Sequence, residues 1–171
     1  MADVLVTPAY VRTMAGYNRL MNERLYEAAA RIPDAERRRD KGAFWGSIFG
    51  TLNHLLWADR MWMSRFEPSK WSKPETPQKD SASLIGSFEA LYEARSRADA
   101  MIEAWAGTVT EEWLASDLRW VSGSVGYEVT MPSSFLVVHF FNHQTHHRGQ
   151  AHALITAAGE KTGDTDLFLV F

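Results

Sequence analysis

Four long stretches of this chain carry apolar side chains at helical spacing, and segments bearing proline or glycine separate them. That pattern confines the fold to helices packed on helices. The first stretch runs from Pro8 to Arg31, marked by Val11, Met14, Tyr17, Leu20 and Leu25 and, just beyond, by Ile32. Thr7-Pro8 supplies a cap followed by proline at the first helical position, and Pro33 stops the helix. The second runs from Phe44 to about Phe66 through Trp45, Ile48, Leu52, Leu55 and Trp62, a broad stripe. The third, capped by Asp80-Ser81 or Ser83, reaches about Trp105 and closes at Gly107. The fourth, capped by Ser133 or Ser134, runs from about Phe135 to Ala158 and stops at Gly159. No strand pattern of comparable length competes, so the expected fold is all-α: a four-helix bundle in one domain spanning residues 1–171.

The connections differ from one another, so a symmetric up-down bundle is not implied. Asp34 to Lys41, DAERRRDK, reads as a charged connector that stays solvated. Pro68, Pro74 and Pro77 mark a linker that cannot continue the second helix. Between helices three and four, LRWVSGSVGYEVT alternates around SGS and predicts a short hairpin or extended excursion. The tail Leu167 to Phe171, LFLVF, is too apolar to float freely and is expected to dock on the bundle or on a second subunit.

Composition removes several classes of function. A chain of 171 residues, 46% hydrophobic, can bury a sizeable core and is not disordered. Its 18 Lys and Arg against 21 Asp and Glu give a formal charge of -3, with no bulk attraction to a phosphate backbone. A general nucleic-acid binder is therefore not expected. With no cysteine, disulfides, Cys-based zinc sites, iron–sulfur ligation and a cysteine nucleophile are all excluded. The N-terminus lacks the basic and apolar pattern of a signal peptide, and the apolar run from Phe135 to Phe141 is interrupted by His139. A cytoplasmic protein without a membrane span is the expectation.

Histidine is the unusual residue. Five of the six fall between His139 and His152 on the fourth helix. On a helical wheel His143 and His147 share the inward arc with Leu136, Phe140, Ala151 and Leu154, one turn apart. His139 and His146 lie on the flank and His152 on the other side. Imidazoles at i and i+4 can converge on one ion, although buried histidines can equally be satisfied by hydrogen bonds within a core. A metal site needs a third ligand, and His54 in the second helix is the one histidine outside the cluster.

Asp59 falls near the centre of the second helix's apolar stripe, where a carboxylate must be paired. It is open to three roles: a fourth ligand, an acceptor orienting a ligating histidine, or a partner for a cation such as Arg60 or Arg148. A structural or orienting role is favoured, because Asp59 and His54 point in different directions. His146, Gln150, Asn53 and Tyr17 are further candidates to line the cavity or support the ligands. Arg148 reads as the partner of a carboxylate.

GAFWGSIFGTLNHLLWADRMWMSRF together with HFFNHQTHHRGQ resembles the DinB/YfiT-like proteins, whose pattern joins a histidine of the second helix to an HxxxH pair in the fourth. The resemblance covers nearly the whole chain. It implies a four-helix bundle, commonly a homodimer, in which His54, His143 and His147 bind a divalent metal such as zinc or nickel. Relatives of this kind include metal-dependent transferases that use low-molecular-weight thiols.

Three neutral imidazoles would leave a divalent site with at least one position open, the arrangement of reactive rather than structural sites. Imidazole suits several metals, so softness does not choose among them. Two reactions follow: attack by a metal-activated water, giving a hydrolase, or activation of an exogenous thiol acting on a small-molecule substrate. The resemblance favours the thiol. The competing reading is a non-enzymatic metal-binding dimer related to stress, and the plainest one is a bundle with polar core histidines and no metal.

Overall fold

The computed structural model describes residues 4–123 and 125–170; Ser124 of the predicted SGS turn and Phe171 of the tail lie outside them. Four long helices make up most of the chain: α1 (Pro8–Ala30), α3 (Ile48–Phe66), α4 (Phe88–Thr108) and α6 (Ser133–Ala157). Short elements fill the connections: α2 (Asp34–Arg38), a 3-10 turn (Gln78–Ser83), α5 (Glu111–Leu114), strands β1 (Asp117–Val121) and β2 (Glu128–Pro132), and α7 (Leu167–Val170). The expected all-α bundle with a hairpin before its last long helix is the observed architecture. β1 and β2 pair antiparallel from Asp117 opposite Pro132 to Val121 opposite Glu128.

The chain does not simply run up and down around the bundle. α1 packs on α4 and α6, and α3 packs on the same two, so the first two long helices lie on opposite corners. Between the corners, a continuous core includes Val11, Tyr26, Leu52, Leu56, Leu91, Ile102, Phe140 and Ile155. Aromatic rings thicken it, with Phe66 stacked on Trp105 at 5.3 Å and edge-on to Phe140 at 5.5 Å.

Several helix ends depart from expectation, each for a local reason. The second long helix starts at Ile48, not Phe44, because the Ser47 side chain accepts from the Gly50 N–H and caps it. Phe44 is left 77% exposed in the turn ahead of it. Ser87 caps α4, not the residues of the 80–83 segment, and α4 runs through Gly107 to Thr108. Ser133 and Ser134 lie inside α6, buried, and Pro132 stands at its cap position without a side-chain bond.

The charged connector is not simply solvated. It forms α2, whose buried Arg37 donates to the carbonyls of Ala29, Ala30 and Ile32. Ala29 and Ala30 lie in the last turn of α1, whose carbonyls lack i+4 donors within the helix, and Arg37 helps satisfy them and the Ile32 carbonyl just beyond. Residues Leu167–Val170 of the tail form α7, with Leu167, Phe168 and Leu169 exposed and only Val170 half-buried.

Candidate metal centre

His54 stands in the middle of α3, 2% exposed, where α3 faces α6 and the 3-10 turn. His143 and His147 stand one turn apart on the facing side of α6, as the helical wheel requires. One ring nitrogen from each of the three lies within 4.8 Å of the others. The His143 and His147 Nε2 atoms are 3.1 Å apart. Two ligands held at about 2.0–2.1 Å from a tetrahedral ion would sit about 3.3 Å apart, so this pair already has the spacing and His54 would move slightly inward.

Outer hydrogen bonds orient two of the rings. His54 Nδ1 lies 2.8 Å from the Ser81 hydroxyl, and His147 Nδ1 lies 2.8 Å from Gln150 Oε1. With Nδ1–H donating in both, the lone pair falls on Nε2, the tautomer a ligand needs. His143 Nδ1 is buried and has no partner among the described residues, so its proton can sit there without breaking a bond to protein. Burial and the neighbouring imidazoles push His54 and His143 down to about 3, and burial lowers His147 as well. All three are therefore neutral at physiological pH and have lone pairs to offer.

Aromatic rings wall the centre. Trp45 lies flat on His54, ring centroids 3.8 Å apart and planes inclined by 19°, and the near-parallel Trp57 ring lies 6.0 Å from His54. A cleft of about 610 Å³, lined by Trp57, Trp71, Trp120 and Arg65, opens beside α3. Toward it runs a series of rings, with His143 5.8 Å from His139 and His139 4.9 Å from Trp62.

The remaining expected site residues separate into those near the centre and those elsewhere. Gln150 supports His147, and it also reaches His146 Nε2 at 3.2 Å, leaving His146 on the exposed flank. Asn53 bonds the Phe49 carbonyl and the Ile85 N–H and so ties α3 to its neighbouring loop instead of lining the site. Tyr17 is not in the cavity; its hydroxyl donates to the Thr165 carbonyl on another face of the bundle.

Asp59 has the structural role. Arg95, not Arg60 or Arg148, is its cation at 2.6 Å, and Gln144 donates to its other oxygen at 3.0 Å. Arg95 also grips Asp99 through two nitrogens. Arg148, expected to pair with a carboxylate, donates instead to the Asn18 side-chain oxygen and the Thr145 hydroxyl. Ser81 and Trp45 were missed as parts of the site. Ser81 reads from the sequence only as a candidate helix cap, and Trp45 as one more member of the apolar stripe.

A family model described as "DinB family" matches residues 4–170. No curated protein and no solved structure matches the chain.

Proposed function

The chain belongs to the DinB family, and from that premise we propose that it is a metalloenzyme holding one divalent ion, zinc or nickel, on His54, His143 and His147. The observation that carries this is the convergence of three neutral imidazole nitrogens within 4.8 Å, two of them oriented by outer hydrogen bonds. We further propose a thiol-dependent S-transfer onto a small-molecule substrate. Bound there, a divalent ion supplies Lewis acidity that lowers the pKa of a thiol or water at its open position. Because the chain has no cysteine, the thiol is an exogenous low-molecular-weight one.

The protein's own contribution is geometric and electrostatic. Ser81 and Gln150 hold two imidazoles in the ligand tautomer, and the Trp45 and Trp57 rings pack against His54. Among the described residues no carboxylate joins the three imidazoles, which would keep a divalent centre cationic and favour an anionic nucleophile such as a thiolate. The cleft beside Trp57 has room for an organic substrate. A homodimer belongs to the same reading, with the exposed Leu167, Phe168 and Leu169 as apolar surface to cover.

Metal analysis by mass spectrometry tests the proposal on protein purified without chelator, beside His54→Ala and His143→Ala. About one metal per chain in the parent, lost in both variants, is the expected result, followed by thiol-dependent turnover of electrophiles. A metal-free parent after reconstitution with zinc or nickel would sink the enzyme reading. Sedimentation equilibrium on the same samples checks the homodimer, and a monomer at all concentrations would remove it.

A further inference from the structure

A second cavity, of about 270 Å³, lies between α1, α6 and the segment that follows α6. Thr145, Arg148, Gly149 and His152 contribute its α6 wall. At about 100° per residue they cluster opposite His143 and His147, so the cavity is on the far side of the helix from the metal centre. Tyr17, Met21 and Leu25 of α1 form an apolar wall, and residues 162–165 pass over it as a strap. Three bonds hold that strap: Tyr17 to the Thr165 carbonyl, Arg24 to the Asp164 carbonyl, and Thr162 to His152 Nδ1.

Asp59 and Asp99 act on Arg148 only through space, from behind it, and the lining itself is cationic. It carries two arginines and a histidine, and no carboxylate side chain is among the described lining residues. Arg148 is 6% exposed, yet among the described residues no carboxylate oxygen lies within 4 Å of it. Its hydrogen-bond partners, Asn18 Oδ1 and Thr145 Oγ1, are neutral, and the Asn18 amide stands between it and Asp99. A buried guanidinium on the wall of a partly open pocket, with no carboxylate in direct contact, can receive an anion.

Gly149 is the exposed lining residue of α6 beside Arg148. It sits in the middle of α6, where glycine costs about 1 kcal/mol relative to alanine. A Cβ built there meets nothing within 4 Å, so helix packing does not demand the glycine. Its missing side chain leaves the cavity open on that side, and a larger residue there could occupy it.

We infer that this cavity is a binding site for a small organic oxyanion, a carboxylate or phosphate on a short apolar body, whose charged end meets Arg148 and Arg24 and whose body lies on Met21, Leu25 and the Tyr17 ring. The strap then covers the ligand. The site is independent of the metal centre, since it shares the helix and none of the three histidines.

Isothermal titration calorimetry at low salt tests it with three probes of one length: butyrate, propyl phosphate and the neutral butanol. The full-length parent, Gly149→Leu, Arg148→Met and His143→Ala are compared, each checked for helix content by circular dichroism. The parent and His143→Ala are expected to bind at least one anion at one site per chain. Gly149→Leu, which fills the space without touching any charge, and Arg148→Met are expected to weaken it at least about tenfold. A preference between the two anions assigns the headgroup. No anion binding by the parent overturns the inference, as does undiminished binding to folded Gly149→Leu, equal affinity for butanol, or loss of binding in His143→Ala. Should Arg148→Met fail to fold, Gly149→Leu alone decides.

Discussion

Arg95 is 1% exposed and holds two buried carboxylates, Asp59 on α3 and Asp99 one turn along its own helix. Asn18 and Asn22 of α1 donate to Asp99, and Gln144 of α6 donates to Asp59, so one guanidinium anchors a network touching all four long helices. Removing the cation leaves two buried negative charges without their partner. Arg95→Met is expected to cost about 3–5 kcal/mol, read as a fall in the urea midpoint. A loss under about 1 kcal/mol would show that the network contributes little. The need for a partner was legible at Asp59, a carboxylate on an apolar stripe. Its identity was not, because Arg95 is distant in sequence and nothing local distinguishes it from the exposed Arg97 two residues on.

At the scale of the element, the entry to α3 carries the site. Ser47 caps the helix, and the chain just before it folds back so that the Trp45 ring covers His54. Gly50, in the first turn, lies so close to the Trp45 carbonyl that a Cβ at this position would collide with it. Helix propensity alone favours alanine over glycine by about 1 kcal/mol. The prediction here has the opposite sign: Gly50→Ala is expected to destabilise by about 1–3 kcal/mol, because backbone rather than a flexible side chain must shift. It should also weaken metal binding by lifting Trp45 from His54. Urea unfolding and a competitive metal titration check both parts, and a more stable variant with unchanged metal affinity would refute the close approach. Periodicity located α3, but its stripe ran two residues or more past the cap, since Phe44 and Trp45 are as apolar as the helix they precede.

For the whole molecule, the question is whether the metal centre holds the bundle together. The core of Leu52, Leu56, Leu91, Ile102 and Phe140 is buried and contiguous without the three histidines, and the Arg95 network links the helices independently of them. Chelation is therefore expected to leave the far-ultraviolet circular dichroism unchanged and to lower the melting temperature only by the lost binding energy. Unfolding on chelation would assign the centre a structural role instead, as in small zinc domains.

The sequence by itself determined what depends on neighbours a few residues apart: four amphipathic helices, the shared face of His143 and His147, and a hairpin between the last two. His54 was also accessible, as the lone histidine outside the cluster and as part of a family pattern. Only the tertiary structure decided what depends on residues far apart in the chain. It put the first two helices on opposite corners, gave Asp59 to Arg95, turned Ser81 toward His54, moved Tyr17 to a second cavity, and left Arg148 bonded to an amide in place of a carboxylate. The physical reason is that helical periodicity is a short-range signal, whereas the partner of a buried polar group is chosen by where whole helices come to rest.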